Sequence, residues 1–296
     1  MSGERSLSAP VVVGVDGSAS SLAAVDLAAE QAARRGCPLT VVHAFIWPYL
    51  RVPLGPSPAG PPEGGLRQQA EHTMTEAYRR AQATAPDVVT RGEVVTGAPA
   101  AVLREYSRTA GLVVVGDRGL GGFTGLLVGS VAVELAAHAH CPILIARGGT
   151  DPTLPVLLGV DGSPANQPAV GFAFEQAALR RVPLLAVHAW THSGVAGLAE
   201  VPPSDAGEVP AQEARVLSEA LAGWCDKYPD VAVRQSSRHG RVRTTLIDAT
   251  GRAQLVVVGT RGRGGFTGLL LGSVSQAVLH HAACPVAVVP HLHENR

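Results

Sequence analysis

Residues 116–132 read GDRGLGGFTGLLVGSVA, and residues 259–275 read GTRGRGGFTGLLLGSVS. The two stretches are identical at 13 of 17 positions, and both place glycines in the spacing G-x2-G-x9-G-S. Each stretch directly follows an apolar run, LVVV, which is typical of a strand buried on both faces of a parallel sheet. A strand, a glycine-rich loop and a helix that starts at the final serine are therefore predicted twice, which indicates an α/β fold.

The repeat extends over the whole chain. Residues 13–18, VGVDGS, return as LGVDGS at residues 158–163, an offset of 145, whereas the two glycine-rich stretches are 143 residues apart. A period of this length indicates duplication of a complete domain, and 296 residues are enough for two such domains. We therefore predict one domain at residues 1–148 and a second at 155–296, joined by a linker at 149–154.

Hydrophobic periodicity predicts the elements within one copy. Short apolar runs predict strands, and longer amphipathic or alanine-rich segments predict the helices between them. In the first copy, strands are predicted at residues 11–16, 39–45, 88–95, 112–116 and 143–146, and helices at 18–35, 66–85, 99–109 and from 130 onward. The Pro- and Gly-rich segments 48–65 and 194–210 are predicted as the long loops of the two copies. This alternation predicts a parallel sheet with right-handed crossovers.

Two features of each copy lie where strands end. Asp16 and Asp161 close the first strand of their copies, and the glycine-rich loop follows the fourth strand. In open α/β sheets, ligands bind beyond the carboxyl ends of the strands, at the point where the strand order reverses. Glycines expose backbone N–H groups and permit positive φ, and a helix N-terminus adds further donors. The loop is therefore suited to an anion such as phosphate.

Side chains near the loop support the same interpretation. Ser130 and Ser273 are expected to cap the following helix or to donate a hydroxyl to phosphate, and Arg118 and Arg261 are expected to add a charged fork. The alternative is a glycine-rich turn before a capped helix, with no ligand. A plain Asp-Gly turn is likewise the alternative at the end of the first strand.

Composition and absent motifs argue against several other classes of function. The 24 basic and 24 acidic residues balance, which argues against bulk nucleic-acid binding. No apolar run approaches the ~18 residues of a membrane span, and the N-terminus lacks the apolar stretch of a signal peptide, so a cytoplasmic protein without membrane contact is expected. The single lysine, Lys227, lies outside both glycine-rich loops, so the Walker lysine is absent.

No catalytic residue and no metal site is predicted. The sequence contains neither a G-x-S-x-G elbow nor an HExxH helix. His43 and His188 lie within apolar strands and are expected to be hydrogen-bonded core histidines. His138 and His281 lie near predicted helix ends, where the helix dipole favours them, and too few ligand types accompany them for a metal site.

The pairing of a V-G-V-D-G-S strand end with the G-x2-G-x9-G-S loop closely resembles the universal stress protein family in its tandem-domain form. The resemblance covers roughly residues 10–147 and 155–290. It implies two doubly wound domains, each with a five-stranded parallel sheet, of the Rossmann-like, adenine nucleotide alpha hydrolase-like kind. It also implies ATP as the ligand, alone or with Mg²⁺.

The resemblance further implies the site residues, carried over by position. Adenosine would meet Asp16 and the backbone of Ala44, Gly116 would face the ribose, and the helix start would hold the phosphates. The full first set is Gly14, Asp16, Ala44, Gly116, Arg118, Gly119, Gly121, Gly122, Gly129, Ser130 and Val131. The second set is Gly159, Asp161, Ala189, Gly259, Thr260, Arg261, Gly262, Arg263, Gly264, Gly265, Gly272, Ser273 and Val274.

One position departs from the family pattern. The residue after the first motif glycine is usually small and hydroxylated, as at Thr260, but in the first copy it is Asp117. Asp117 is expected to repel phosphate and Arg263 to attract it. The second site is therefore expected to bind ATP more tightly than the first.

Three functions follow from these observations. The first is an ATP-binding regulator of the stress response, in which nucleotide occupancy is the signal. The second is a slow ATPase or phosphotransferase, and the third is a dimerisation module without bound nucleotide. Members of the family pair through their last strands, so the resemblance also implies a pseudo-dimer of the two halves and a homodimer of chains. The sequence does not identify the signalling partner.

Overall fold

The computed structural model describes residues 9–45, 62–120, 128–149, 151–191, 208–262 and 271–291. The chain divides into two compact units, Met1–Arg147 and Gly148–Arg296. We call them unit 1 and unit 2 and describe each by itself.

Unit 1 alternates strands and helices around a parallel sheet with the strand order β3-β2-β1-β4-β5. The chain enters at the centre of the sheet, builds two strands to one side, and returns across β1 to build two on the other. The elements are β1 (Val11–Gly14), α1 (Ala19–Arg35), β2 (Leu39–Phe45), α2 (Pro62–Thr84), β3 (Thr90–Thr96), α3 (Pro99–Tyr106), β4 (Leu112–Gly116), α4 (Ser130–His138) and β5 (Ile143–Ala146).

Unit 2 repeats this topology with the strand order β10-β9-β6-β7-β8, again parallel throughout. The prediction of two tandem doubly wound α/β domains with five-stranded parallel sheets is confirmed. The elements are β6 (Val156–Gly159), a short 3-10 turn (Pro164–Asn166), α5 (Gln167–Arg180), β7 (Leu184–Trp190), α6 (Glu208–Lys227), β8 (Val233–His239), α7 (Val242–Thr250), β9 (Leu255–Gly259), α8 (Ser273–His281) and β10 (Val286–Val289).

Burial of the central strands explains their composition. The β1 valines and Leu112–Val115 of β4 are buried, as are all residues of β6 and β9. Right-handed crossovers put α1 and α2 on one face of the sheet and α3 and α4 on the other, so apolar side chains are needed on both faces. Strands β3 and β8 each lie at one edge of the sheet of their unit, are largely exposed and accordingly carry polar residues.

Both predicted long loops end earlier than expected. The loop of the first copy was predicted to run to residue 65, but α2 begins at Pro62, and the second was predicted to run to residue 210, but α6 begins at Glu208. In both cases a proline lies within the first turn, where its missing N–H would have no helical partner and its fixed φ suits the helix. The remainder of the two predicted loops, 48–61 and 194–207, lies outside the described residues.

The first two helices of each unit contact each other at an equivalent position, but through different side chains in the two units. In unit 1, Arg80 of α2 donates two hydrogen bonds to the Asp26 carboxylate of α1, at 2.6 and 2.5 Å. In unit 2 the position equivalent to Asp26 is Gly171, and the ring of Trp224 on α6 covers it. A β-carbon on Gly171 would lie 2.7 Å from Cζ2 of that ring. An aromatic side chain packed on a glycine thus takes the place of an ion pair.

This packing predicts opposite effects for two helical glycines. Gly171→Ala is expected to lower the free energy of unfolding by about 1–3 kcal/mol, because the new methyl group overlaps the Trp224 ring. Gly223→Ala is the matched control, since nothing lies within 4 Å of its β-carbon position on α6 and alanine is the better helix former, by up to about 1 kcal/mol. Urea unfolding measures both changes. Stabilisation by Gly171→Ala would contradict the packing argument.

Candidate functional site

Each unit has a cleft at the carboxyl ends of its central strands. β1 pairs with β2 on one side and with β4 on the other, so the chain connections diverge between β1 and β4 and leave a crevice there. In unit 1 the cleft has a volume of about 400 Å³. Its lining comprises Gly14, Val15, Asp16, Ser21, Val42, Ala44, Pro99, Leu103, Val115, Gly116, Arg118, Gly119, Leu120, Val128, Gly129, Ser130, Val131 and Ala132.

The cleft of unit 2 is larger, with a volume of about 700 Å³, and has more polar side chains in its wall. It opens at the equivalent place, between β6 and β9. Its lining comprises Gly159, Val160, Asp161, Asn166, Val187, His188, Ala189, Trp190, Thr191, Glu213, Val242, Leu246, Val258, Gly259, Arg261, Gly262, Gly272, Ser273, Val274 and Ser275.

Asp16 lies two residues beyond β1, and its carboxylate accepts hydrogen bonds from two nearby backbone N–H groups. The Asp16 carboxylate accepts hydrogen bonds from the backbone N–H of Ser18 at 3.0 Å and of Leu120 at 2.8 Å. Burial acts to raise the pKa of Asp16, but these hydrogen bonds and a contact with Ser21 favour the charged form and hold that pKa below its ordinary value of 3.8. Asp16 therefore joins the end of β1 to the beginning of the glycine-rich loop as a carboxylate.

Asp161 makes the corresponding turn in unit 2. Its carboxylate accepts from the Ser163 backbone N–H at 2.7 Å. A β-carbon at Gly262 would lie 2.8 Å from Asp161 Oδ2, and one at Gly119 would lie 2.5 Å from Asp16 Oδ2. The second motif glycine of each loop is thus required because the loop backbone passes directly over the aspartate.

The helix after each loop begins with its N–H groups uncapped by any side chain. The N-cap residues are Gly129 and Gly272, and neither makes a side-chain capping hydrogen bond. The expectation that Ser130 and Ser273 cap these helices is wrong, because each serine is the first helical residue and is exposed. The cleft wall includes Gly129–Ala132 in unit 1, so the positive end of the α4 dipole borders the cleft.

Close packing requires glycine at some of the motif positions, and the expected use of positive φ is not found. None of the six motif glycines that the structure describes (116, 119, 129, 259, 262 and 272) has a positive φ. A β-carbon at Gly116 would lie 2.7 Å from the backbone carbonyl carbon of Ser20 in α1. At Gly129 the nearest atom would be the Asp117 carbonyl oxygen at 3.5 Å, an ordinary contact, so the surrounding protein leaves room for a side chain there.

Asp117 is directed toward α1 and is not part of the cleft lining. Its Oδ1 accepts from Ser20 Oγ at 2.6 Å, and its Oδ2 lies 3.8 Å from Arg118 Nε. The repulsion of phosphate expected from Asp117 is therefore reduced. Thr260, at the equivalent position, is buried and also lies outside the lining. The remaining predicted loop residues, Gly121, Gly122, Arg263, Gly264 and Gly265, fall outside the described residues.

Sequence reasoning missed one part of the second cleft. His188 was expected to be a hydrogen-bonded core residue, and it is buried with Nδ1 2.7 Å from the Val160 carbonyl oxygen. It also lines the cleft, together with Trp190 and Glu213, and its Nε2 lies 2.8 Å from Glu213 Oε2. His43, its equivalent in unit 1, has Nδ1 2.9 Å from the Val15 carbonyl oxygen.

The described ranges show neither a metal-binding cluster nor a membrane-spanning helix. They contain no group of three or more His, Cys, Asp or Glu residues placed to hold a metal ion. Within the same part of the chain, no helix is both long and apolar enough to cross a bilayer.

Comparisons with known proteins give a consistent result. A model of the universal stress protein family matches residues 9–147 and again residues 153–290. A universal stress protein of Mycolicibacterium smegmatis is 39% identical over 293 residues, which cover 94% of this chain and 96% of that protein. One from Mycobacterium tuberculosis is 41% identical over 288 residues, with 94% and 96% coverage. The crystal structure of a universal stress protein from Archaeoglobus fulgidus covers 99% of this chain and all of that chain, with a TM-score of 0.71 at 17% identity, a similarity of fold.

The glycine contacts predict which motif positions serve packing. Gly116→Ala is expected to lower the free energy of unfolding by about 1–3 kcal/mol, because its methyl group would overlap the Ser20 backbone. Gly129→Ala is the control within the same loop, and a change within about 1 kcal/mol is expected there. Denaturant unfolding measures both variants. If the two changes lowered the free energy of unfolding equally, the close contact between Gly116 and Ser20 would not be the cause of the destabilisation.

Proposed function

Because the chain belongs to the universal stress protein family, we propose that both clefts bind an adenine nucleotide, with ATP as the ligand, and that occupancy of the clefts is the regulatory signal of a stress-response protein. The observation that carries this proposal is the uncapped start of α4 and α8 at one end of an otherwise largely apolar cleft. That arrangement suits a ligand with an anionic end and a flat apolar end.

Phosphate groups fit the end of the first cleft formed by the helix start. The backbone N–H groups of Ser130 and Val131 belong to the first turn of α4, where no intrahelical acceptor is available. The Ser130 hydroxyl is exposed beside them, and Arg118 lines the same cleft. The ordinary spacing around Gly129 leaves room for a phosphate oxygen in the position that a side chain would otherwise fill.

Adenosine fits the opposite, apolar end of the cleft. Val42 and Ala44 of β2, with Pro99 and Leu103 of α3, supply apolar walls. Asp16 lies between these walls and the loop, and its carboxylate offers about four acceptor positions, so the contacts with Ser18 and Leu120 do not exhaust it. A ribose hydroxyl or the adenine amine can donate to it. Mg²⁺, where it accompanies ATP, would be held by phosphate oxygens together with such a carboxylate.

Regulation is favoured over catalysis by the composition of the first cleft. Among the described lining residues, Asp16 is the one carboxylate and Arg118 the one cation, and Asp16 already accepts two backbone hydrogen bonds. No histidine, cysteine or lysine is part of that described lining to act as a base. The proposed pairing of the two halves, the homodimer and the cytoplasmic location stay predictions.

Blocking the helix start is expected to remove one binding site at a time. Gly129→Glu and Gly272→Glu each introduce a carboxylate where phosphate is proposed to sit, so each variant should bind one ATP where the native chain binds two. Isothermal titration counts the sites. Gly223→Glu, the same chemical change on the exposed side of α6, is the control and should leave two sites. An unchanged stoichiometry in both loop variants would refute the proposed phosphate position.

Binding without rapid turnover is expected to stabilise the fold equally with ATP and with a non-hydrolysable analogue. A ligand at a hundredfold excess over Kd stabilises the native state by about 2.7 kcal/mol per site. Thermal unfolding with each ligand measures the effect, and the chain carrying both Gly129→Glu and Gly272→Glu should show no shift. Phosphate release near ~10 s⁻¹ would instead favour the enzymatic alternative.

A further inference from the structure

His188 and Glu213 form a side-chain pair in the wall of the second cleft. His188 is 3% exposed, and its two ring nitrogens face two different acceptors. Nδ1 lies 2.7 Å from the Val160 carbonyl oxygen, and Nε2 lies 2.8 Å from Glu213 Oε2. Both residues line the cleft, and Glu213 comes from α6 while His188 comes from β7.

The contact with His188 fixes the position of the Glu213 carboxyl group in the cleft wall. Glu213 uses Oε2 for this contact, and which ring nitrogen of His188 carries the N–H depends on the tautomer. The other carboxyl oxygen, Oε1, also carries acceptor lone pairs.

The position equivalent to Glu213 in unit 1 carries no carboxyl group. The buried positions of α6 and α2 correspond at an offset of 143, with Leu217 matching Met74 and Ala220 matching Ala77. At the same offset Glu213 corresponds to Ala70, a buried alanine. The histidine is present in both units, but the position that supplies the carboxyl group in unit 2 is an alanine in unit 1.

The pair lies at the end of the cleft that is remote from the phosphate position. The start of α8 follows the loop after β9, and β7 is the second strand away from β9, beyond β6. Neighbouring strands are about 4.8 Å apart, so β7 lies roughly 10 Å from β9. A nucleotide with its phosphates at Gly272 and Ser273 would therefore place its base beside Ala189 and the His188–Glu213 pair.

We propose that Glu213, held in place by His188, is a specificity-determining residue of the second cleft that accepts a hydrogen bond from the amino group of the base. This inference rests on the proposed nucleotide binding and adds a difference between the two sites. Adenine carries its exocyclic amine as the sole donor group of the base, so an acceptor here selects for that group. A purine without the amine cannot make this hydrogen bond, so it is expected to bind the second cleft less tightly than adenine does.

The test compares ATP with purine riboside triphosphate, which lacks only the amine. The full chain with Gly129→Glu reports the second cleft, and the full chain with Gly272→Glu reports the first. The ratio of the two dissociation constants is expected to favour ATP about tenfold more strongly in the second cleft than in the first. This comparison needs no change at residue 213 and therefore does not depend on how a variant there folds.

Substitutions at Glu213 then test whether this residue causes the stronger preference for ATP in the second cleft. In the Gly129→Glu chain, Glu213→Ala is expected to reduce the preference to that of the first cleft. Glu213→Gln is expected to retain it, because its amide N–H can donate to His188 Nε2 while its oxygen still accepts from the ligand. Titration calorimetry gives the constants, and circular dichroism checks the fold of each variant.

The measurements distinguish failure of the proposed nucleotide binding from failure of the proposed role of Glu213. If neither single-site chain binds ATP, the proposed function is wrong. If both bind ATP but discriminate equally against purine riboside triphosphate, or if Glu213→Ala folds and keeps the preference, the role of Glu213 is wrong while nucleotide binding stands.

Discussion

The pairing of β1 with β4, and of β6 with β9, is the constraint on which both clefts depend. These strands are neighbours in the sheet, yet about 100 residues of chain separate them. Because parallel neighbours end at the same edge, the turn after β1 and the loop after β4 meet there. The Asp16 carboxylate then joins the two segments by accepting from Ser18 and Leu120. The cleft, the position of the loop and the direction of α4 follow from that one strand contact.

The glycine at the start of α4 combines two requirements that usually conflict. A helix is stabilised by an N-cap side chain, but such a side chain would occupy the donors that an anionic ligand needs. Glycine replaces a good N-cap residue at a cost of only a few tenths of a kcal/mol. Gly129 therefore keeps the helix start open without a large loss of stability, and Gly272 does the same in unit 2.

Much of the fold was predictable from the sequence because its strands are buried on both faces. Residues 39–45, 112–116 and 143–146 are strands with the predicted bounds, since short, mostly apolar runs are typical of strands buried on both faces of a sheet. The helix starts at Pro62 and Glu208 differ from the prediction because a high density of proline and glycine indicates a loop, although proline is also favoured in the first turn of a helix.

The candidate site was less predictable than the fold. Motif spacing indicated the loop residues, but it did not show that Gly129 displaces Ser130 as N-cap or that Gly116 is needed for contact with Ser20. Glu213 had no signal at all, because its partner His188 is 25 residues away on another element and only the packing of α6 against β7 brings them together. Side-chain pairs of this kind are a property of tertiary structure.

The two different contacts between the first helices of each unit limit how the two halves of the gene can exchange sequence. Asp26 needs Arg80, and Gly171 needs Trp224, although the members of each pair are encoded more than fifty codons apart. A crossover between these codons would place the Asp26 carboxylate against an indole ring, with Gly223 in place of its guanidinium partner. The reciprocal product would leave Arg80 opposite a glycine. Exchange of only one of the two helices is therefore expected to destabilise the product, so the paired residues constrain each other although they lie far apart in the chain.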